Sequence, residues 1–406
     1  MSELERLIQE LCPNGVEYKT IGECVHKTSN IKWATDTGIY AYIDLSSVDR
    51  DTHQITNTLT ISADNAPSRA QQIVLEDDIL FGTTRPTLKR YCIIDQEYDG
   101  QICSTGFCVL RAKENIVLPR WLFHIISSAA FYNYVEANQK GASYPAISDK
   151  EVKLFKMPVP PIEVQREIVR ILDNFTELTA ELTAELTARK KQYEYYREAL
   201  MRFDAVVPYV SVRKLFPHIR NGFVGTVKKY FTDAENGVRY LEGTNIHNGV
   251  ISDNERLYVT KEFHQKYIKN ELKSDDILMV QSGHIGECAV VGEKYAGSNC
   301  HALIIMSNGG HCISKFYVHY FHTIEGRKHL KPAITDGNLK HVLAGKMDLV
   351  KVPVPPVEIQ QLVSDTLDKL ESLCNSITFG LPAEIEARQK QYEYYRDKLL
   401  TFKQLA

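Results

Sequence analysis

PVPPIEVQ, running from Pro158 to Gln165, returns as PVPPVEIQ from Pro353 to Gln360, 195 residues later. QYEYYRE at Gln192 to Glu198 returns as QYEYYRD at Gln391 to Asp397, now 199 residues later. Upstream, DDIL at Asp77 to Leu80 recurs at Asp275 to Leu278, and VEYKTI at Val16 to Ile21 resembles VPYVSV at Val207 to Val212. Four matches in one order make the chain a tandem duplication, and a repeat of this size governs every later inference about fold.

Each half divides alike. A mixed region of short β-like runs comes first, such as QICSTGFCVLR (Gln101 to Arg111) and CAVVGEKY (Cys288 to Tyr295), broken by turn residues as in a compact α+β domain. The proline junction then forbids helix. A long helix follows with Glu163 or Glu358 in its first turn, where the helix dipole favours an acid. In the first helix Ile168, Leu172, Phe175, Leu178, Leu182, Leu186, Tyr193, Tyr196, Leu200 and Phe203 recur at steps of three, four or seven, the spacing of a coiled-coil seam. Val363, Leu367, Leu370, Ile385, Tyr392, Tyr395, Leu399 and Phe402 repeat it, with Gly380 and Pro382 interrupting the helix and absorbing the four-residue change of offset. A rod of about 40 residues is roughly 60 Å long. The expected fold class is therefore α+β: two similar globular domains separated by two long antiparallel coiled-coil helices, related by a pseudo-twofold axis. The expected boundaries are 1–17, 18–158, 159–206, 207–353 and 354–406.

The chain has 406 residues, enough for two or three domains at roughly 150 each. Apolar residues at 44% and charged residues at 24% place it with globular proteins, and no apolar run reaches the roughly 18 residues of a membrane span. The N-terminal MSELERLIQELCPNG is charged in its first turn and has no signal-peptide core, which points to the cytoplasm. Nine cysteines form no CxxC pair, and Cys103 and Cys108 sit among Ile102, Phe107, Val109 and Leu110 like buried free thiols. His319, His322 and His329 lack the carboxylate or cysteine partners of a closed metal site, so no metal is expected. The net charge of −3 is unlike that of a typical nucleic-acid binder. It conceals Arg213, Lys214, Arg220, Lys228 and Lys229 between 205 and 232 without an acid, and six cations against Asp336 and Asp348 between 326 and 351. Solvated loop charge explains such patches as well as DNA does.

Within the first helix TAEL occurs twice in succession, at Thr179 to Leu182 and Thr183 to Leu186. Helix propensity accounts for Ala, Glu and Leu, but a perfect tetrapeptide repeat also suits a rod whose length changes by whole units of about 6 Å.

These features together resemble the DNA-specificity subunit of type I restriction–modification systems, over essentially the whole chain. The resemblance lies in the paired junctions, the two long helices, the QYEYYR segments and the tandem repeat, and the TAEL run resembles the branch with a tetrapeptide spacer. DDILFGTTRPTLKR (Asp77 to Arg90) and DDILMVQSGHIGECAVV (Asp275 to Val291) also look like family variants. Val164 and Ile359 stand before the junction glutamines where the family often has glutamate, with Glu163 and Glu358 one residue earlier. The resemblance implies two target recognition domains, each reading half of a bipartite asymmetric DNA site. It implies helices that space the half-sites and dock two methyltransferase subunits, with motor–nuclease subunits joining for restriction. The chain itself would be non-catalytic, and S-adenosylmethionine would belong to its methyltransferase partner rather than to a cofactor site here.

The residues agree with that division of labour. The prolines stand in VPPI and VPPV, not in the (N/D)PP(F/Y) of a base-flipping adenine methyltransferase. GxxxxGK[ST] and GxSxG are absent. Asp77–Asp78 and Asp275–Asp276 stand at turn-like entries to apolar strands, where capping is the expected work.

DNA recognition needs cations for phosphates and forked or amide side chains for base edges. In the first domain Arg85 is the candidate guanine reader, with Lys89 and Arg90 holding phosphates and Lys140, Ser143 and Tyr144 on a second loop. In the second domain Gln281, Ser282 and His284 occupy the corresponding place, with Lys228, Lys229 and Lys340 as phosphate candidates. Tyr193, Tyr196, Tyr392 and Tyr395 fall on the seam and are expected in the core. Tyr195 and Tyr394 lie off it and suit partner docking. Two alternatives remain, an enzyme with fused recognition domains and a coiled-coil scaffold that reads no DNA.

Overall fold

The computed structural model describes residues 2–204, 206–337, 339–375 and 380–405. The chain forms two units, Met1–Ala184 with Ala383–Ala406, and Glu185–Pro382. The central helix, Ile162–Leu200, thus contributes its first part to one unit and its last part to the other. The penultimate helix, Val357–Asn375, lies in the second unit, whereas nearly all of the terminal helix, Leu381–Leu399, lies in the first. The terminal helix starts directly after Gly380, at φ 102°, and Pro382 does not interrupt it but stands in its first turn. Among the described residues no helix is long and apolar enough to cross a membrane.

The duplication is visible strand by strand. In the first unit an antiparallel sheet runs in the order Val25–His26, Phe107–Ala112, Ile79–Gly82, Tyr91–Ile93. The second unit repeats it as His218–Asn221, Leu303–Ser307, Ile277–Val280, Cys288–Val290. The register repeats as well: Ile79 lies opposite Leu110 and Ile93, and Ile277 opposite Met306 and Val290. A further four-stranded sheet in each unit contains one parallel pairing, Tyr42 with Ile102 and Tyr240 with Asn299. The DDIL strands are buried at every position, as central strands covered on both faces must be. Asp78 is buried and accepts from the Leu75 amide at 2.8 Å, and Asp276 accepts from the Lys273 amide at 3.0 Å, so these aspartates do close turns. All nine cysteines are free and buried.

The repeated glutamine of the proline junction has a structural job. Gln165 is wholly buried; its Nε2 donates to the carbonyls of Ile116 and Pro160, and its Oε1 accepts from the Leu118 amide. Gln360 likewise donates to the Pro355 carbonyl and accepts from the Ile313 amide. The prolines offer no backbone N–H at the junction, and one primary amide supplies both a donor and an acceptor to tie the helix start to the domain.

Each unit is completed by the tail of a helix that starts elsewhere in the chain. In the first, His124 is fully buried, with Nε2 2.8 Å from Asp173 on the central helix and Nδ1 3.0 Å from the Tyr392 hydroxyl on the terminal helix. In the second, His319 stands 2.8 Å from Asp368 and 3.4 Å from the Tyr193 hydroxyl. Burial lowers the affinity of both imidazoles for a proton, against the opposing pull of the aspartate. The helix segments within each unit run antiparallel. In the first, Phe175 stacks on Tyr395 while Trp121, bonded to the Pro158 carbonyl, lies beside Phe402. In the second, Glu371 meets Tyr193 while Cys374, one turn on, lies in the field of Lys190 and Arg189.

The expected seam needs one correction. Tyr196 and Tyr395 are not core residues but are 40% and 36% exposed. The seam is buried at Ile168 and Leu172 and again at Tyr193, and between 181 and 191 no side chain is buried. The helix is held at its two ends by two different cores, with Leu186 partly buried against the second of them.

Candidate nucleic-acid interface

In the first unit the structure brings together two loops chosen separately from the sequence. The turn after Ile79–Gly82 carries Arg85 at φ 49° and Lys89 at φ 53°, both left-handed, around the single 3₁₀ turn Pro86–Leu88. The second loop is closed by a pair of backbone hydrogen bonds between Lys140 and Ala146 at 2.8 Å. Gly141 permits that closure, since it has φ 99° and a Cβ there would meet the Tyr144 carbonyl oxygen at 2.9 Å. The loops are joined: the Arg85 amide donates to the Pro145 carbonyl at 2.7 Å, and the Arg85 guanidinium lies 4.4 Å above the Tyr144 ring. Ser143 and Lys140 are exposed on the same loop, and Lys89 lies 5.3 Å from the Tyr132 ring. Arg90 differs, because its guanidinium donates to the carbonyls of Leu45 and Val48 at 2.5 and 3.0 Å and thereby ties two loops of the domain together.

The second unit uses the same scaffold with other side chains. The amide of Val342 donates to the Gln281 carbonyl as that of Ile147 donates to Thr83, so the two loop pairs correspond. Gln281 is partly occupied, since its Nε2 donates to Asn221 and to the Val342 carbonyl. Ser282 Oγ lies 2.7 Å from His341 Nδ1, and the His341 amide donates to Thr335. His284 is exposed, with its ring edge-on to His247 at 6.3 Å. Lys340 is exposed beside His341, whereas Lys228 and Lys229 are exposed on a separate turn, Lys228–Tyr230. His341 and His247 were missed by sequence reasoning. The signal for His341 was the repeat itself, because it stands 195 residues after Ala146 in the companion loop.

Away from these loops, Tyr195 and Tyr394 are 70% and 61% exposed. Tyr195 borders a groove of about 510 Å³ in the second unit, together with Lys191, Arg197, His322, Ile324 and Arg327. The three histidines considered as metal ligands do not converge: His322 pairs with Glu287, His329 with Tyr320, and His319 with Asp368. His319, Asp368 and Glu371 do come together, but Lys315 stands 3.5 and 3.0 Å from the two carboxylates and supplies the positive charge there. The hydrogen bond from His322 holds the Glu287 carboxyl down at about 2 despite its burial.

Residues 13–189 and again 220–387 match the family model of the type I restriction modification DNA specificity domain. The chain belongs to the type I DNA-specificity subunit family. It is 34% identical over 309 residues to the specificity subunit of the EcoR124I/EcoR124II type I restriction enzyme of Escherichia coli, covering 72% of this chain and 73% of that one. Among solved structures, a chain from work on complex assembly and conformational transition of the type I restriction–modification system superposes with a TM-score of 0.68 at 23% identity, over 96% of this chain and 98% of that one. The S subunit of a type I restriction–modification system from M. genitalium gives 0.55 at 13% identity, over 95% and 96%. Both structures share the fold. The doubled family match and the doubled sheets agree on a tandem α+β specificity subunit.

Proposed function

We propose that each unit reads one half of a bipartite, asymmetric DNA site through its joined loop pair. The observation that carries this reading is the contrast between corresponding loops on one repeated scaffold. Arg85 and Tyr144 stand in the first, where the second has Gly283 with the neighbouring Ser282–His341 pair. Corresponding frames with unlike side chains suit two different half-sites. Lys89, Lys140 and Ser143 in the first unit, and Lys228, Lys229 and Lys340 in the second, supply contacts to the phosphates. Gln281, Ser282 and His284 present polar groups to the second half-site, and Arg90 shapes the surface from behind.

The central helix spaces the half-sites, and its TAEL units support a reading of the chain as one of the tetrapeptide-spacer branch of the family. Tyr195 and Tyr394 face the two methyltransferase subunits, which bring S-adenosylmethionine and the chemistry. Motor–nuclease subunits join that complex for cleavage, and the chain itself catalyses nothing. The test is selection from a random duplex pool by the purified complex of this chain with its methyltransferase partner, at rising salt. Two constant blocks separated by a fixed gap are expected. Enrichment of no sequence, or binding that vanishes with non-specific competitor, contradicts the reading.

A further inference from the structure

Resting on that reading, we infer that the Arg85–Tyr144 pair recognises a guanine in the half-site of the first unit. Three observations converge on it. First, Arg85 holds a left-handed backbone at φ 49°, where the corresponding residue of the second unit is Gly283 at φ 77°. A position that glycine fills without strain carries a long side chain instead, and strain of this kind clusters at functional sites. Second, the guanidinium rests on the Tyr144 ring at 4.4 Å and has no hydrogen-bond acceptor among the described residues. Stacking uses the face of the cation and leaves its N–H donors, which lie in its plane, available. Arg90 and Arg111 are spent on carbonyls and on Asp78, and lack this freedom. Third, the backbones that carry the pair are tied together, since the Arg85 amide is bonded to Pro145 and the Tyr144 loop is closed on itself.

A planar fork of free donors, oriented before the ligand arrives, matches the O6 and N7 acceptors of guanine in the major groove. Tyr144 touches no base in this scheme. It is a positioning residue that holds the fork while its own ring stays 70% exposed.

The test uses the complex with the methyltransferase partner and duplexes carrying the selected site. R85A and R85K should each lose roughly ten- to hundred-fold discrimination at one base pair of one half-site, with the other half-site unaffected. R85K keeps the charge and loses the fork, so its failure separates base reading from attraction. Y144F should retain discrimination and Y144A should lose part of it. Replacing the guanine by 7-deazaguanine, which removes N7, should weaken the wild-type complex and leave R85A unchanged; this arm needs no variant to fold. The inference is overturned if R85A weakens binding to every sequence alike and lowers the salt slope by about one, the signature of a phosphate contact. It is equally overturned if no guanine in either half-site responds to the deaza substitution. A wild-type complex that selects no sequence sinks the half-site reading itself, and this inference with it.

Discussion

Deleting Thr183–Leu186 removes one TAEL unit and puts Leu182 in the place of Leu186, the partly buried leucine that packs against the second core. The last fully buried anchor before it is Leu172 and the first buried one after it is Tyr193, and no side chain between 181 and 191 is buried. Neither unit should therefore lose more than about 0.5 kcal/mol of stability, the usual range for surface changes. The geometric effect is larger. Four residues shorten the helix by about 6 Å and rotate its two ends relative to each other by about 40°. Base pairs rise about 3.4 Å each, and at about 10.5 per turn each rotates about 34°. The translation corresponds to nearly two base pairs and the rotation to little more than one. The gap between half-sites should shrink by one or two base pairs while both half-site sequences stay the same, and adding a third TAEL should lengthen it equally. Duplex selection with the three spacer variants reads this directly. An unchanged gap, or an altered half-site, refutes the ruler.

Three further outcomes follow from the buried polar groups. Gln165→Leu strands two carbonyls and an amide in a dry junction and should cost about 3 kcal/mol in urea unfolding, whereas a surface change such as Gln192→Leu should cost little. Asp78→Asn breaks a two-point contact with Arg111, at 2.8 and 2.7 Å, and leaves that guanidinium without its counter-charge. A loss of about 3–5 kcal/mol is expected, with a smaller loss for Asp276→Asn because Arg220 lies 3.4 Å from its partner. The folded proton affinity of His124 and His319 is lowered by burial, so the unfolded chain binds more protons as pH falls past the ordinary imidazole value. Stability should be fully present above about pH 6.5 and decline below it, and replacing either histidine with glutamine should flatten that decline in thermal melts across the range.

The duplication was legible because proline junctions and a glutamine pair survive in sequence as short exact words. What those words do was not legible. The partners of Gln165 lie at Ile116, Leu118 and Pro160, and only the first two are supplied by a distant segment that the fold must bring back. The seam periodicity located Tyr193 and Tyr392 correctly as packed residues. It could not say that each would meet a histidine, or that Tyr196 and Tyr395 would face solvent once the helix left its core. Arg85 and Tyr144 were chosen singly, and their stacking across 59 residues of chain is a property of the sheet between them. Arg90 looked like its neighbours in sequence. Its acceptors, Leu45 and Val48, belong to a loop that no local pattern links to it.

The most direct test of the central claim is to express this chain with its methyltransferase partner in a host lacking both, and to map methylated adenines across that host's DNA. One asymmetric motif is expected, two constant blocks with a gap of fixed length, methylated only when both proteins are present. A stable complex that leaves the DNA unmodified, or modifies it without such a motif, contradicts that claim.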